Sequence, residues 1–103
     1  MIITEEILAL ISKAPFIPIV TLSNKAEPHL IAVGGVKETR DDDTLVFGIY
    51  KMQKTQQNIK DNGFMQVVIA TMEGGAKGYR LTGKASIDGQ VVIFKADKAD
   101  ALI

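Results

Sequence analysis

The sequence predicts a mainly-β fold, an antiparallel sheet curling into a closed or half-closed barrel. Three observations predict it. Apolar, β-branched runs recur along the chain and are separated by short turn clusters. Runs of adjacent strands are joined by short turns, which favours an antiparallel sheet. Asp88–Gly89 is a strong two-residue hairpin signal. Strong strands with little covering helix are expected to bury their edges by closing on themselves.

Residues 4–13 read as a short amphipathic helix. Thr4 suits the N-cap, Glu5 and Glu6 occupy the first turn, where negative charge is favoured, and Pro15 ends it. Ile7, Leu10 and Ile11 share one face, widened by Leu8. "FIPIVTL" (16–22) reads as the first strand, with Pro18 marking an edge position or a bulge. "SNKAEP" turns the chain into a second strand, "HLIAVGGVKE" (29–38), with the pair Gly34–Gly35 inside it. "TRDDD" reads as a charged turn, and "TLVFGIYK" (44–51) as the third strand, with Gly48 near its end.

Residues 53–62 read as the second helix, with Asn62–Gly63 as its exit. "FMQVVIATM" (64–72) is a buried strand, "EGGAKG" a loop, and "YRLTGKASI" (79–87) a half-exposed strand. Beyond the Asp88–Gly89 turn two readings stand. "QVVIF" is a sixth strand, or "QVVIFKADKADALI" is a helix, its second half being rich in Ala, Lys and Asp.

Composition narrows the function classes. The 103 residues are enough for one domain, spanning 1–103. Twelve basic side chains balance twelve acidic ones, so there is no general attraction to nucleic acid or anionic membranes. No Cys is present, which removes thiol nucleophiles, disulfides and Cys metal sites. His29, the only His, cannot build a zinc site alone and reads as a surface or strand-edge residue. No apolar run approaches the length of a membrane span, and the acidic N-terminal stretch lacks the positive charge of a signal peptide. The expectation is a cytoplasmic protein.

No acid–base or nucleophile constellation stands out. Asp41–Asp43 reads as a solvated turn, and no serine lies in a nucleophile elbow. The one chemically pointed stretch is "YKMQKTQQNIKDNG" (50–63). A helix start leaves amides without partners and carries partial positive charge. Lys51, Lys54 and the Thr55 hydroxyl stand at that end, where cations are unfavourable unless an anion compensates. The plain alternative is solvated surface charge. No Walker loop is present, and "GGAKG" is expected to be a hairpin loop. The small residues Ala32, Val33, Gly34, Gly35 and Gly48 would let a flat group approach backbone, or would form bulges in a curved barrel. A flat aromatic group with a phosphate tail would suit both features.

The chain resembles the pyridoxamine 5'-phosphate oxidase-like FMN-binding split barrels, and among them the short members called FMN-binding protein. "FIPIVTLSNKAEPHLIAV" resembles the family's opening hairpin. "LVFGIYKMQKTQQNIKDNGFMQVVI" resembles its strand, basic turn, Asn-bearing helix and buried strand, and "GYRLTGKASI" its late strand. The resemblance implies a six-stranded antiparallel Greek-key split β-barrel with short flanking helices. It implies a homodimer with FMN at the interface, and oxidoreductase or electron-transfer chemistry through the flavin. The phosphate would lie at Gln53, Lys54 and Thr55, and the ring along Ala32, Val33, Gly34, Phe47, Gly48 and Ile49. Asn58 matches the family's helix Asn, in a structural role, and the Gly75–Tyr79 loop is the candidate for contacts from the second subunit. The long C-terminal extension of the true oxidase has no counterpart here, so that activity is not expected. Short members often carry one more strand at this end, so one barrel edge and the dimer contacts are left open. The alternatives are a flavin reductase-like enzyme with an organic substrate, or a barrel that has lost flavin and serves as a binding module.

Overall fold

A computed structural model describes residues 1–103. The elements are α1 (Glu5–Ile11), β1 (Ile17–Leu22), β2 (Pro28–Val33), β3 (Glu38–Arg40), β4 (Thr44–Gly48), α2 (Gln53–Asn62), β5 (Phe64–Thr71), β6 (Lys77–Asp88) and β7 (Val91–Ala101). All strands join one antiparallel sheet in the order β2-β1-β5-β6-β7-β4-β3. The fold is the split barrel that the sequence predicts, with β2 and β3 as its unpaired edges.

The sheet holds seven strands rather than six. The added strand is β3, three exposed residues, Glu-Thr-Arg, paired only with β4. These polar, solvated side chains carry no apolar signature, which is why Glu38 reads as the end of the second strand and Thr39 and Arg40 as part of a turn. The second strand stops at Val33, so Gly34–Gly35 lies in the following bend and not inside the strand. Residues 91–101 form a strand, which closes the open choice at the C-terminal end. The helix-favouring Ala, Lys and Asp there are overridden because β7 pairs with β6 on one side and β4 on the other. Pro18 sits in β1, an interior strand, but the β5 ladder begins only at Ile19. Pro18 therefore lacks an N–H on a stretch that is paired on one side alone.

The core fills the curl of this sheet. Ile17 and Ile19 of β1, Met65, Val67 and Ile69 of β5, Leu81 of β6, Phe94 of β7 and Leu45 and Phe47 of β4 belong to one buried cluster. Alternation along each strand puts these side chains on one face. Helix α1 adds Ile7 and Leu10, and Thr4 accepts its capping bond from the Ile7 amide at 3.3 Å. The segment before it is tied across the molecule: the amides of Ile2 and Ile3 both donate to Asp43 Oδ1, at 2.9 and 2.8 Å.

Gly83 holds the bulge between β6 and β7. A Cβ there would run into the Lys95 carbonyl oxygen, so only glycine lets the strands approach this closely.

Candidate functional site

Strand β4 delivers the chain to α2 through a tight turn. The Ile49 amide donates to the Gln90 carbonyl at 3.0 Å, which fixes the start of the turn. Lys51 then adopts a left-handed conformation, φ 63°, and Met52 turns inward to become nearly buried. Helix α2 starts at Gln53 with Met52 at the N-cap and no side-chain cap. Its first backbone bond runs from the Gln56 amide to the Met52 carbonyl at 2.8 Å, so the amides of Gln53, Lys54 and Thr55 have no backbone acceptor. No acid occupies the first turn.

One feature distinguishes this helix start from an ordinary solvated one. Thr55 is 1 % exposed, and its hydroxyl has no hydrogen-bond partner. A buried hydroxyl left without a partner is costly, and such orphans call for an explanation. Neither Lys51 nor Lys54 forms an ion pair; the three salt bridges of the chain involve other residues. The helix itself is firmly placed. Asn58 Nδ2 donates to Thr21 Oγ1 at 3.0 Å, with both residues buried, and Asn62 Nδ2 donates to the Leu22 carbonyl at 2.8 Å. Gly63, at φ 76°, provides the left-handed exit expected of it.

A cleft of about 260 Å³ opens against this turn. One wall is β2, through His29, Ile31, Ala32 and Val33; the other is the run Tyr50–Lys54. Its cationic groups are Lys51 and Lys54, His29 stands on the facing wall, and no carboxylate lines it. A larger depression, about 500 Å³, lies beside Glu6 and Tyr79 at the α1 side. Size therefore does not single out the cleft. Unpaired cations, open amides and an orphan hydroxyl do.

Of the nine residues read as a flavin site, Ala32, Val33, Gln53 and Lys54 line this cleft together. Thr55 lies just behind it in the first turn of α2, shielded from the surface. Gly34 follows Val33 in a bend where a Cβ would meet nothing within 4 Å. Gly48 is exposed at the end of β4 and Ile49 is packed against the core. Phe47 is 1 % exposed and points into the core, so only its backbone could face a ligand. The cleft also contains His29, Ile31, Tyr50, Lys51 and Met52, none of them among those nine. Strand parity was the available signal for the first two: His29, Ile31 and Val33 alternate onto one face of β2.

A curled seven-stranded antiparallel sheet with two unpaired edges and two short helices defines a class, the split barrels. The sequence profile of the family described as Pyridoxamine 5'-phosphate oxidase matches residues 3–98, and the chain belongs to that family. Solved structures share the fold. HupZ of Group A Streptococcus superposes with a TM-score of 0.85 at 23 % identity, covering 99 % of this chain and 94 % of that one. An FMN-binding protein of Syntrophomonas wolfei gives 0.73 at 16 % identity, covering 93 % and 88 %. A Clostridium acetobutylicum protein related to general stress protein 26, of the pyridoxinephosphate oxidase family, gives 0.75 at 11 %, covering 93 % and 84 %. A search of curated proteins finds no significant match.

The phosphate end of FMN fits the residues present. Three unbonded amides and the Lys54 ammonium are donors a phosphate monoester accepts from, with the orphaned Thr55 hydroxyl directly behind them.

Proposed function

We propose that this protein is a small FMN-binding flavoprotein of the cytoplasm that moves electrons through the flavin and works as a homodimer. The observation that carries the reading is the start of α2. An unpartnered buried hydroxyl, three open amides and unneutralised lysines coincide there. An anion satisfies all of them at once. Gln53, Lys54 and Thr55 hold the phosphate. Ala32, Val33 and Gly34 on one side, and the backbone of Phe47, Gly48 and Ile49 on the other, border the ring.

The cofactor, when bound, supplies hydride or single-electron chemistry. The chain's own residues have the other tasks. Lys54 and the helix amides bind and orient the phosphate. Ile31 and Val33, half-buried against the core, exclude water from one side of the ring. Kinship with the oxidase family, and the shared fold of a protein named for binding FMN, support the assignment.

The homodimer follows from kinship with the oxidase family. The cleft, about 260 Å³, is open to solvent on one chain. A second copy would complete the enclosure; of the candidate contact Gly75–Tyr79, only Gly75 and Ala76 lie in a loop, since Lys77–Tyr79 open β6.

The test is the absorbance spectrum of the protein as isolated, with mass analysis of the released chromophore. Flavin bands and the mass of FMN are the expected result. A colourless protein that fails to retain added FMN on dialysis overturns the reading. NAD(P)H oxidation by the FMN-loaded protein then separates an enzyme from a carrier, and no turnover is expected.

A further inference from the structure

Lys51 is held in an unusual way. Its φ of 63° lies in the left-handed region, where side chains other than Gly and Asn are strained. Its ammonium pairs with no carboxylate; it sits 5.5 Å from the centre of the Tyr50 ring, over its face. Tyr50 is 77 % exposed, although aromatic rings are normally packed. Both residues line the cleft in which Lys54 and Gln53 stand. A strained lysine resting on an exposed ring, two residues before an uncapped helix, is poorly explained as packing.

We propose that Lys51 is a reserve cation that selects phosphorylated over unphosphorylated flavin, resting on Tyr50 and transferring to the phosphate when the ligand docks. The proposal rests on the FMN reading above. A cation over an exposed ring is held weakly, whereas a charge-assisted bond to a phosphate is stronger, so the transfer is favourable. The flexible four-carbon stem of lysine permits the move. Riboflavin has no anion, so Lys51 gains nothing by leaving the ring. The discrimination is thus built into one side chain in addition to the fixed donors of α2.

Titrations of FMN and riboflavin into the full chain test this, using wild type, K51M, K51R, Y50L and K54E. K51M keeps the stem and removes the charge; it is expected to weaken FMN by about tenfold and to leave riboflavin within about twofold. K51R should restore most of the FMN affinity. Y50L removes the resting place and is expected to tighten FMN by about threefold, an effect that lost packing would not give. The salt dependence of FMN binding should also be shallower in K51M, since one fewer cation meets the phosphate. If K54E weakens FMN but K51M matches wild type for both ligands, Lys51 has no such role while the flavin site stands. If Y50L loses as much FMN affinity as K51M, the ring is itself a ligand contact and the resting-place idea is wrong. If wild type binds neither flavin, the functional reading fails, and this one with it.

Discussion

Thr55 places stability and binding in opposition. Its hydroxyl is buried without a partner, so the folded chain bears a desolvation cost that valine, of nearly the same shape, would remove. Thr55→Val is therefore expected to raise the melting temperature without ligand, by the equivalent of about 1 kcal/mol, while weakening FMN binding. Calorimetry and a flavin titration on the same samples check both signs. Lys54→Glu places a negative charge at an already uncapped helix start facing an anion. It should weaken FMN by about 1–3 kcal/mol and leave riboflavin nearly unaffected. Lys51 and Lys54 are legible in the sequence because cations at a helix start conflict with the dipole and ask for a compensating charge; Gln53 comes only from family resemblance. The ring-side residues are less so. Ala32 and Val33 come from the run of small residues and from family resemblance. The inward direction of Phe47 follows from its alternate spacing with Leu45, which reading the small residues alone does not reveal.

At the scale of elements, α2 is the part most legible in the sequence. Its polar run is stopped by Asn62–Gly63, and its observed bounds, Gln53–Asn62, follow from those local signals. What fixes its position is not local: the Asn58–Thr21 bond spans 37 residues. Asn58→Leu leaves Thr21 buried without that donor and is expected to cost about 1–3 kcal/mol, read by denaturant unfolding. Flavin affinity should fall too, since the helix start moves with the helix. The β6–β7 ribbon shows the opposite limit. The tail of β7 is locally ambiguous, and only its two neighbours make it a strand. Gly83, within β6, is a bulge residue with no room for a side chain. Gly83→Ala is expected to destabilise by about 1–3 kcal/mol or more through forced separation of the strands. The same midpoint shift measurement tests it, with an unchanged midpoint as the contrary result.

For the whole molecule, the polar ties between remote segments hold the shape where the core thins. Tyr79 donates to the Glu6 carboxylate at 2.7 Å, joining β6 to α1. That bond, with smaller contributions from desolvation and the nearby negative charge, raises the pKa of the tyrosine above its ordinary value. The folded state therefore holds the phenolic proton more firmly than the unfolded chain. The contribution is fully present below the unfolded pKa, about 10, and is lost as pH rises through the higher folded value. Tyr79→Phe should flatten the alkaline decline of stability. Unfolding curves from pH 8 to pH 11 would decide it. Light scattering of the FMN-loaded protein should give twice the chain mass if two copies enclose the flavin.

The position of β7 between β6 and β4 also bears on how the polypeptide is made. Thr44 pairs with Lys95, so the β3–β4 hairpin leaves the ribosome 51 residues ahead of its neighbour (95 less 44). At ~5–20 residues per second that is a wait of roughly 3–10 seconds. Through that interval the nascent hairpin carries Leu45 and Phe47, wholly buried at the end, with no strand yet to receive them. Slow translation of the β5–β6 region lengthens that exposure, so nascent-chain aggregation should respond to codon choice there more than to codon choice in the first hairpin.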